Sequence, residues 1–172
     1  MSKSLRSNHI NLYFKDHRNS DMKEFKRIST YGALKKFGIP DWFKEAKTEN
    51  IIFEFDKIGN ITCRNGIWKS GEWHGSEMEM CEWFDGIWHG GHFCHGEWYQ
   101  GKFISGGMTS STWHNGTSYN GFFERVTWAD GIWLNGGAEN MHWEGGVWVS
   151  GFYNKKKCHG FTPKGKPIYT KK

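Results

Sequence analysis

The sequence lacks the features that mark membrane and secreted proteins. No apolar run approaches the length that spans a bilayer. The N-terminal segment MSKSLRSNHINLYFKDH also lacks the apolar stretch of a signal peptide. We therefore expect a protein that is cytoplasmic when synthesised and has no membrane partner.

Cysteine pairs and catalytic motifs are missing as well. The four cysteines, at positions 63, 81, 94 and 158, include no CxxC pair, so a zinc site of the usual spacing is not expected. The phosphate-binding GxxxxGK motif, the GxSxG nucleophile elbow and the HExxH zinc motif are all absent. The sequence therefore predicts no catalytic residue, no cofactor, no metal and no small-molecule substrate, and an enzyme site in residues 1–60 has no motif to support it.

Acidic residues are absent from the C-terminal end. Residues 1–60 carry 12 Lys/Arg and 8 Asp/Glu (+4), residues 61–153 carry 4 and 10 (−6), and residues 154–172 carry 7 and 0 (+7). The net charge of +5 is thus a poor guide to partners. Seven lysines without interleaved aromatics predict a solvated basic tail that grips nucleic acid only weakly.

What the sequence does contain is an excess of Trp and Gly, with a period of five. It has 11 Trp and 23 Gly. We call every fifth residue from position 63 to 158 a centre; there are 20 of them, and the segment NGIWKSGEW (65–73) contains two. An aromatic residue occupies 14 of the 20 centres, and Gly stands two residues before 13 of them. We predict that these centres form the core. The tryptophans among them are Trp68, Trp73, Trp83, Trp88, Trp98, Trp113, Trp128, Trp133, Trp143 and Trp148.

A period of five predicts a chain that turns a corner in every unit. Side chains alternate along a strand, so a straight strand would point successive centres to opposite faces. Four such corners would close one coil of about 20 residues. Sorting the centres by 20 places Met78, Ser118, Ala138 and Cys158 in one column. The predicted fold class is therefore mainly β: a right-handed, four-sided parallel β-helix of about 20 residues per coil. The alternative is an antiparallel meander with two-residue hairpins.

Residues 61–153 resemble the pentapeptide-repeat family, whose right-handed four-sided β-helix places a large apolar residue at each centre and a small residue two before it. That family usually has Leu or Phe and Ala where this chain has Trp and Gly. The Gly-x-Trp repeat is also similar to repeats of bacteriophage virion and tail proteins. These resemblances imply a structural or accessory protein that is incorporated into a virion.

The segments outside the repeat have their own predictions. Residues 1–60 form an α+β cap or docking segment, with a helix from Asp21 to about Phe37, a short helix over 41–47, and strands at 51–55 and 61–63 joined by a turn. A solenoid needs such a cap over its open end. Residues 61–153 form the β-helix, and residues 154–172 are the basic tail.

In a four-sided coil, one outward stripe would be apolar. It contains Ile67, Ile87, Thr127 and Val147 and is widened by Phe84 and Ile104. We interpret it as a surface for a protein partner or self-association; the alternative is cover by a terminal segment. The same coil places His74, Cys94 and His114 in one column, interpreted as surface residues because parallel side chains diverge, and Tyr99 and Tyr119 in another.

Four function classes remain open at this point. The preferred one is a rigid, non-enzymatic scaffold or interaction module. A second is a DNA mimic that inhibits a nucleic-acid enzyme such as a topoisomerase, as the family resemblance suggests. A third is a carbohydrate-binding adhesin that uses Tyr99, Tyr119, Asn120 and Asn140. The fourth, an enzyme, has no supporting motif.

Overall fold

The structure is a computed structural model that describes residues 11–13, 40–55 and 60–169. It is mainly β, with 24 short strands and one short helix in these residues. The predicted helix from Asp21 to Phe37 lies outside them. No helix in the described part of the chain is long and apolar enough to cross a membrane.

The elements fall into two end segments and three stacked walls. The N-terminal segment contains β1 (Asn11–Tyr13), α1 (Asp41–Lys44), β2 (Lys47–Glu49) and β3 (Ile52–Phe55). Wall A contains β4 (Ile61–Arg64), β7 (Glu77–Glu79), β10 (His92–Cys94), β13 (Gly107–Thr109), β16 (Gly121–Glu124), β19 (Gly136–Glu139) and β22 (Phe152–Tyr153). Wall B contains β5 (Ile67–Ser70), β8 (Glu82–Trp83), β11 (Glu97–Trp98), β14 (Thr112–Trp113), β17 (Thr127–Trp128) and β20 (His142–Trp143). Wall C contains β6 (Glu72–Trp73), β9 (Ile87–Trp88), β12 (Lys102–Phe103), β15 (Thr117–Ser118), β18 (Ile132–Trp133) and β21 (Val147–Trp148). The C-terminal segment contains β23 (Lys156–Phe161) and β24 (Pro167–Tyr169).

The parallel β-helix is confirmed, but its predicted cross-section is wrong. Trp68 pairs with Trp83 and Trp73 pairs with Trp88, so paired residues lie 15 positions apart. Each coil therefore has three walls and about 15 residues. Residues 63 to 153 wind through about 6 turns. Parallel pairing within each wall also contradicts the antiparallel meander.

Each coil has three corners, and two of them place a residue with positive φ at a fixed position in every coil. Between walls A and B, a non-glycine residue has a left-handed φ of 50° to 55° in each coil; these residues are Asn65, Met80, His95, Ser110, Arg125 and Asn140. Between walls B and C, the residue with positive φ lies three positions after the centre and is Gly in every coil. A Cβ on Gly101, whose φ is +122°, would lie 2.6 Å from the carbonyl oxygen of Gly86 in the preceding coil. The close stacking of coils at this corner therefore requires Gly.

The core consists of three interior columns, one from each wall. Wall B contributes only tryptophans, and their rings stack at 4.6 to 5.3 Å with interplanar angles of 4° to 7°. Wall C contributes mainly large aromatics but has Ser118 in its fourth coil. The ring of Phe123 from wall A lies beside that gap, 5.1 Å from Phe103 and 4.9 Å from Trp133. All ten predicted core tryptophans are buried.

Residues 40–55 cover the N-terminal end of the core. Helix α1 is shorter than predicted and ends at Lys44. Its Trp42 ring lies 5.6 Å from Trp73, and its Phe43 ring lies 5.9 Å from Trp68. Strand β3 pairs antiparallel with β4. This pairing is the one expected for the two strands predicted at 51–55 and 61–63. These contacts are what a solenoid cap provides.

The predicted solvated tail is instead a second cap. Strands β23 and β24 pair antiparallel, and β23 continues wall A through β22. The ring of Phe161 stacks on Trp143 at 4.7 Å and 7°, and the indole nitrogen of Trp148 donates to the carbonyl oxygen of Cys158. The lysines at 155–157 remain exposed. The prediction of a solvated tail considered only the charges of this segment. The apolar residues between the lysines make the contacts that turn it into a cap.

Candidate interaction surface

The predicted apolar stripe is not a continuous surface. In the three-walled coil, Ile67, Thr127 and Phe84 lie on wall B, whereas Ile87, Ile104 and Val147 lie on wall C. The prediction that Ile67, Ile87, Thr127 and Val147 share one wall is wrong because it assumed a four-sided coil. The role of these six residues in partner binding stays a prediction.

Wall C of the last three coils presents an uncharged apolar surface. Its outward residues lie on either side of the inward centres of β15, β18 and β21. We call this surface the apolar face; it comprises Thr117, Tyr119, Ile132, Leu134, Val147 and Val149. Val147 and Val149 are 56% and 55% exposed, and Ile132 is 41% exposed. The three segments of this face, TSYN, IWLN and VWVS, contain no ionisable side chain except the Tyr119 phenol.

The β-branched residues of this face are well suited to a parallel sheet, but their exposure is not explained by strand propensity alone. Isolated exposed apolar residues are ordinary, whereas a contiguous patch indicates contact with something else. The apolar face is therefore the best candidate for a binding surface among the described residues.

The other two walls are acidic. The outward positions beside the wall A centres carry Arg64 against four glutamates, a net charge of −3; those glutamates are Glu77, Glu79, Glu124 and Glu139. On wall B they carry Lys69 against three glutamates, a net charge of −2; those are Glu82, Glu97 and Glu144. The apolar face is thus flanked by walls of like charge.

A shallow groove extends the apolar face around the corner to wall A. It has a volume of about 460 Å³ and is lined by Asn120, Asn135 and two exposed rings, Phe122 and Phe152. The Phe122 ring packs against Gly137, since a Cβ at Gly137 would lie 3.0 Å from the Cδ2 atom of that ring. The two phenylalanines enlarge the apolar area that a partner could cover.

The residues predicted for sugar binding are not brought together. Tyr99 lies on wall B and Tyr119 on wall C, so the predicted tyrosine column is wrong. Tyr99 instead stacks between Phe84 at 4.6 Å and His114 at 4.8 Å, and its hydroxyl donates to Glu82. Asn120 follows wall C, and Asn140 lies at the corner between walls A and B. The adhesin hypothesis therefore loses its proposed site.

The four cysteines are buried and unpaired with one another. Burial raises the pKa of the Cys63 thiol, and burial together with Glu77 and Glu79 raises the pKa of Cys94 to about 11. Thiolates are therefore disfavoured at both positions. The predicted column of His74, Cys94 and His114 is wrong, since these residues lie on walls C, A and B.

Comparisons with family models, curated proteins and solved structures found no match to this chain. Function is therefore inferred from the surfaces of the molecule. The 20-residue period did not predict Ile132, Leu134 and Val149 as members of the apolar face. Sorting the outward residues by 15 instead of 20 groups all three with Val147.

Proposed function

We propose that the protein is a rigid, non-enzymatic β-solenoid module that assembles with a second copy through the apolar face. The observation that carries this proposal is the contiguous, exposed and uncharged surface on wall C. The resemblance to the Gly-x-Trp repeats of phage virion proteins supports a place in a larger assembly, and we propose a phage structural or accessory protein as its setting.

The caps direct association to the walls. The α1 segment covers Trp68 and Trp73 at one end, and Phe161 covers Trp143 at the other. End-to-end stacking of coils would have to displace these contacts. Six coils at about 4.8 Å give a stiff body roughly 29 Å long whose sides are the accessible surfaces.

Charge selects wall C for contact between identical copies. In a two-fold symmetric dimer, the same patch meets itself. Walls A and B would then oppose glutamates with glutamates, which costs free energy because like charges repel. The apolar face has no such cost and gains from removing Val147, Val149 and Ile132 from water. Its modest size predicts a weak, reversible dimer rather than an obligate one.

Sedimentation velocity of the full chain over a concentration series tests this proposal. We expect the wild-type protein to shift from monomer to dimer as its concentration rises. The double substitution Val147→Glu and Val149→Glu should keep the protein monomeric throughout, because it places charges at the centre of the interface.

The matched control is the pair Thr127→Glu and Ala129→Glu. These residues flank Trp128 on wall B as Val147 and Val149 flank Trp148 on wall C. The control should dimerise like the wild type. A wild-type protein that stays monomeric, or a dimer that survives the valine substitutions in a folded protein, would contradict the proposal. Circular dichroism checks that both variants keep the wild-type fold.

A further inference from the structure

A cluster of two histidines and one glutamate lies on wall C at the N-terminal end, away from the apolar face. The Nε2 atoms of His74 and His89 are each 3.1 Å from the same oxygen of Glu72, Oε2. The two imidazole rings are stacked with centroids 3.9 Å apart and an interplanar angle of 12°. All three side chains are accessible from solvent.

The three-walled coil builds this cluster. Glu72 and His74 flank the inward Trp73 and therefore both point outward, and His89 follows Trp88, which pairs with Trp73 in the next coil. The backbone nitrogen of His89 donates to the carbonyl oxygen of Trp73 at 2.9 Å, which fixes the register. The Trp42 ring packs against His74 with centroids 5.6 Å apart. The cluster thus stands on rigid strands, with one side supported by the cap.

The spacing of the three ligand atoms suits a tetrahedral metal ion. Zinc binds histidine nitrogen at about 2.0–2.1 Å and carboxylate oxygen at about 2.0–2.2 Å, so the edges of a zinc tetrahedron are roughly 3.3 Å. The two 3.1 Å distances to Glu72 are close to that edge, and the ligand atoms all lie within 4.8 Å of one another. Because the two stacked imidazole planes are nearly parallel, at least one ring must rotate before both Nε2 lone pairs can point at one ion, and the solvent exposure of all three side chains allows that rotation.

We propose that Glu72, His74 and His89 bind a divalent transition-metal ion of the zinc class. Two imidazoles and one carboxylate are one of the ligand sets of zinc sites with three protein ligands, in which water or substrate occupies the fourth position. The same donors favour zinc, nickel and copper over magnesium, which prefers oxygen ligands. This revises the expectation of no metal site, which considered His74 only together with Cys94 and His114.

A second cluster, formed by Glu79, Cys94 and His95, is less suitable. The Arg64 guanidinium already pairs with Glu79 at 2.7 Å. The raised pKa of Cys94, about 11, also disfavours the thiolate that binds metal. This cluster therefore supplies a comparison for the experiment.

Isothermal titration of the metal-free full chain, made without a histidine tag, with zinc chloride tests the proposal. We expect one zinc ion per chain and negligible heat with magnesium. His89→Ala and Glu72→Gln should each weaken the zinc affinity at least about tenfold, a loss in the range that even outer-shell changes cause. Cobalt(II) should give the visible absorption of a tetrahedral complex in the wild type, and His89→Ala should lose it.

Two control variants localise the signal. His114 forms a single histidine–glutamate pair with Glu97 at 2.8 Å on wall B, so His114→Ala should bind zinc like the wild type. Cys94→Ser should also leave the affinity unchanged. The proposal is overturned if the wild type does not bind zinc, if His89→Ala keeps the wild-type affinity, or if His114→Ala or Cys94→Ser weakens zinc binding as much as His89→Ala does.

Discussion

At the scale of single residues, two buried serines show how the core treats polar groups. The Ser111 hydroxyl donates to the Thr109 carbonyl at 2.9 Å and accepts from the Gly96 backbone nitrogen at 3.2 Å. The Ser118 hydroxyl is fully buried and has no hydrogen-bond partner among the described residues. An unpaired buried hydroxyl lowers stability, whereas a paired one does not.

These serines should therefore respond in opposite ways to substitution by alanine. Ser118→Ala should raise the free energy of unfolding by about 1 kcal/mol, because it removes a buried group without a partner. Ser111→Ala should lower it by roughly 1–3 kcal/mol, since it leaves Gly96 without its acceptor. Urea denaturation followed by tryptophan fluorescence measures both values. A destabilised Ser118→Ala variant would show that the hydroxyl has a partner after all.

The residue pattern predicted the core well but not the shape around it. The five-residue period identified every buried tryptophan of the solenoid because inward position depends only on the local strand and corner. Which centres stack on one another depends on the angle of each corner, and that angle is set by packing between coils. The outward residues were therefore assigned to the wrong neighbours, as His74 shows: its actual neighbour is His89.

At the scale of elements, a signal for three walls was present in the sequence. Sorted by 15, the centres of wall B are all tryptophan, whereas no column sorted by 20 is. The residue two before each centre is Gly at 13 of 20 positions, and four of the seven exceptions, Cys81, Ser111, Val126 and Met141, are separated by multiples of 15. These four lie at the corner between walls A and B, where the structure buries the side chain. Clustering of small centres by 20 was the weaker pattern.

The C-terminal hairpin should stabilise the last coil through Phe161. Its ring stacks on Trp143 and lies 5.2 Å from Trp148. Phe161→Ala should lower the free energy of unfolding by about 2 kcal/mol, less than a fully buried phenylalanine would lose. Acrylamide quenching of tryptophan fluorescence should also increase, because the last two indoles become accessible.

Ile168→Ala is the control within the same hairpin. Ile168 is 46% exposed, so its substitution should change stability by less than about 0.5 kcal/mol. Equal effects of the two substitutions would mean that the hairpin does not act through the Phe161 stack. This cap could not be predicted from composition because seven lysines dominate residues 154–172.

At the scale of the whole molecule, the solenoid behaves as a stack in which each coil contacts mainly its neighbours. Removing one complete coil should therefore leave a shorter but intact protein. Deleting residues 97–111 joins Gly96 to Thr112, so that Trp113 stacks on Trp83 and every later strand keeps its wall. The deletion also keeps Ser118 beside Phe123.

A longer deletion, of residues 97–116, distinguishes the three-walled coil from a four-walled one. It joins Gly96 to Thr117 and preserves the period of five, yet it moves every later strand to the preceding wall, from B to A, from C to B and from A to C. Trp128 would then lie on wall A, whose centres are otherwise Cys, Met, Phe, Ala or Tyr. The left-handed corner residue Arg125 would also stack on Gly90, whose φ is not left-handed, instead of on Ser110.

We expect the 97–111 deletion to unfold cooperatively, with a moderately lower midpoint, and the 97–116 deletion to aggregate or melt well below it. Thermal denaturation followed by circular dichroism compares them. Equal stability of the two would mean that only the repeating unit of five matters, whereas greater stability of the longer deletion would contradict the three-walled coil and both surfaces derived from it.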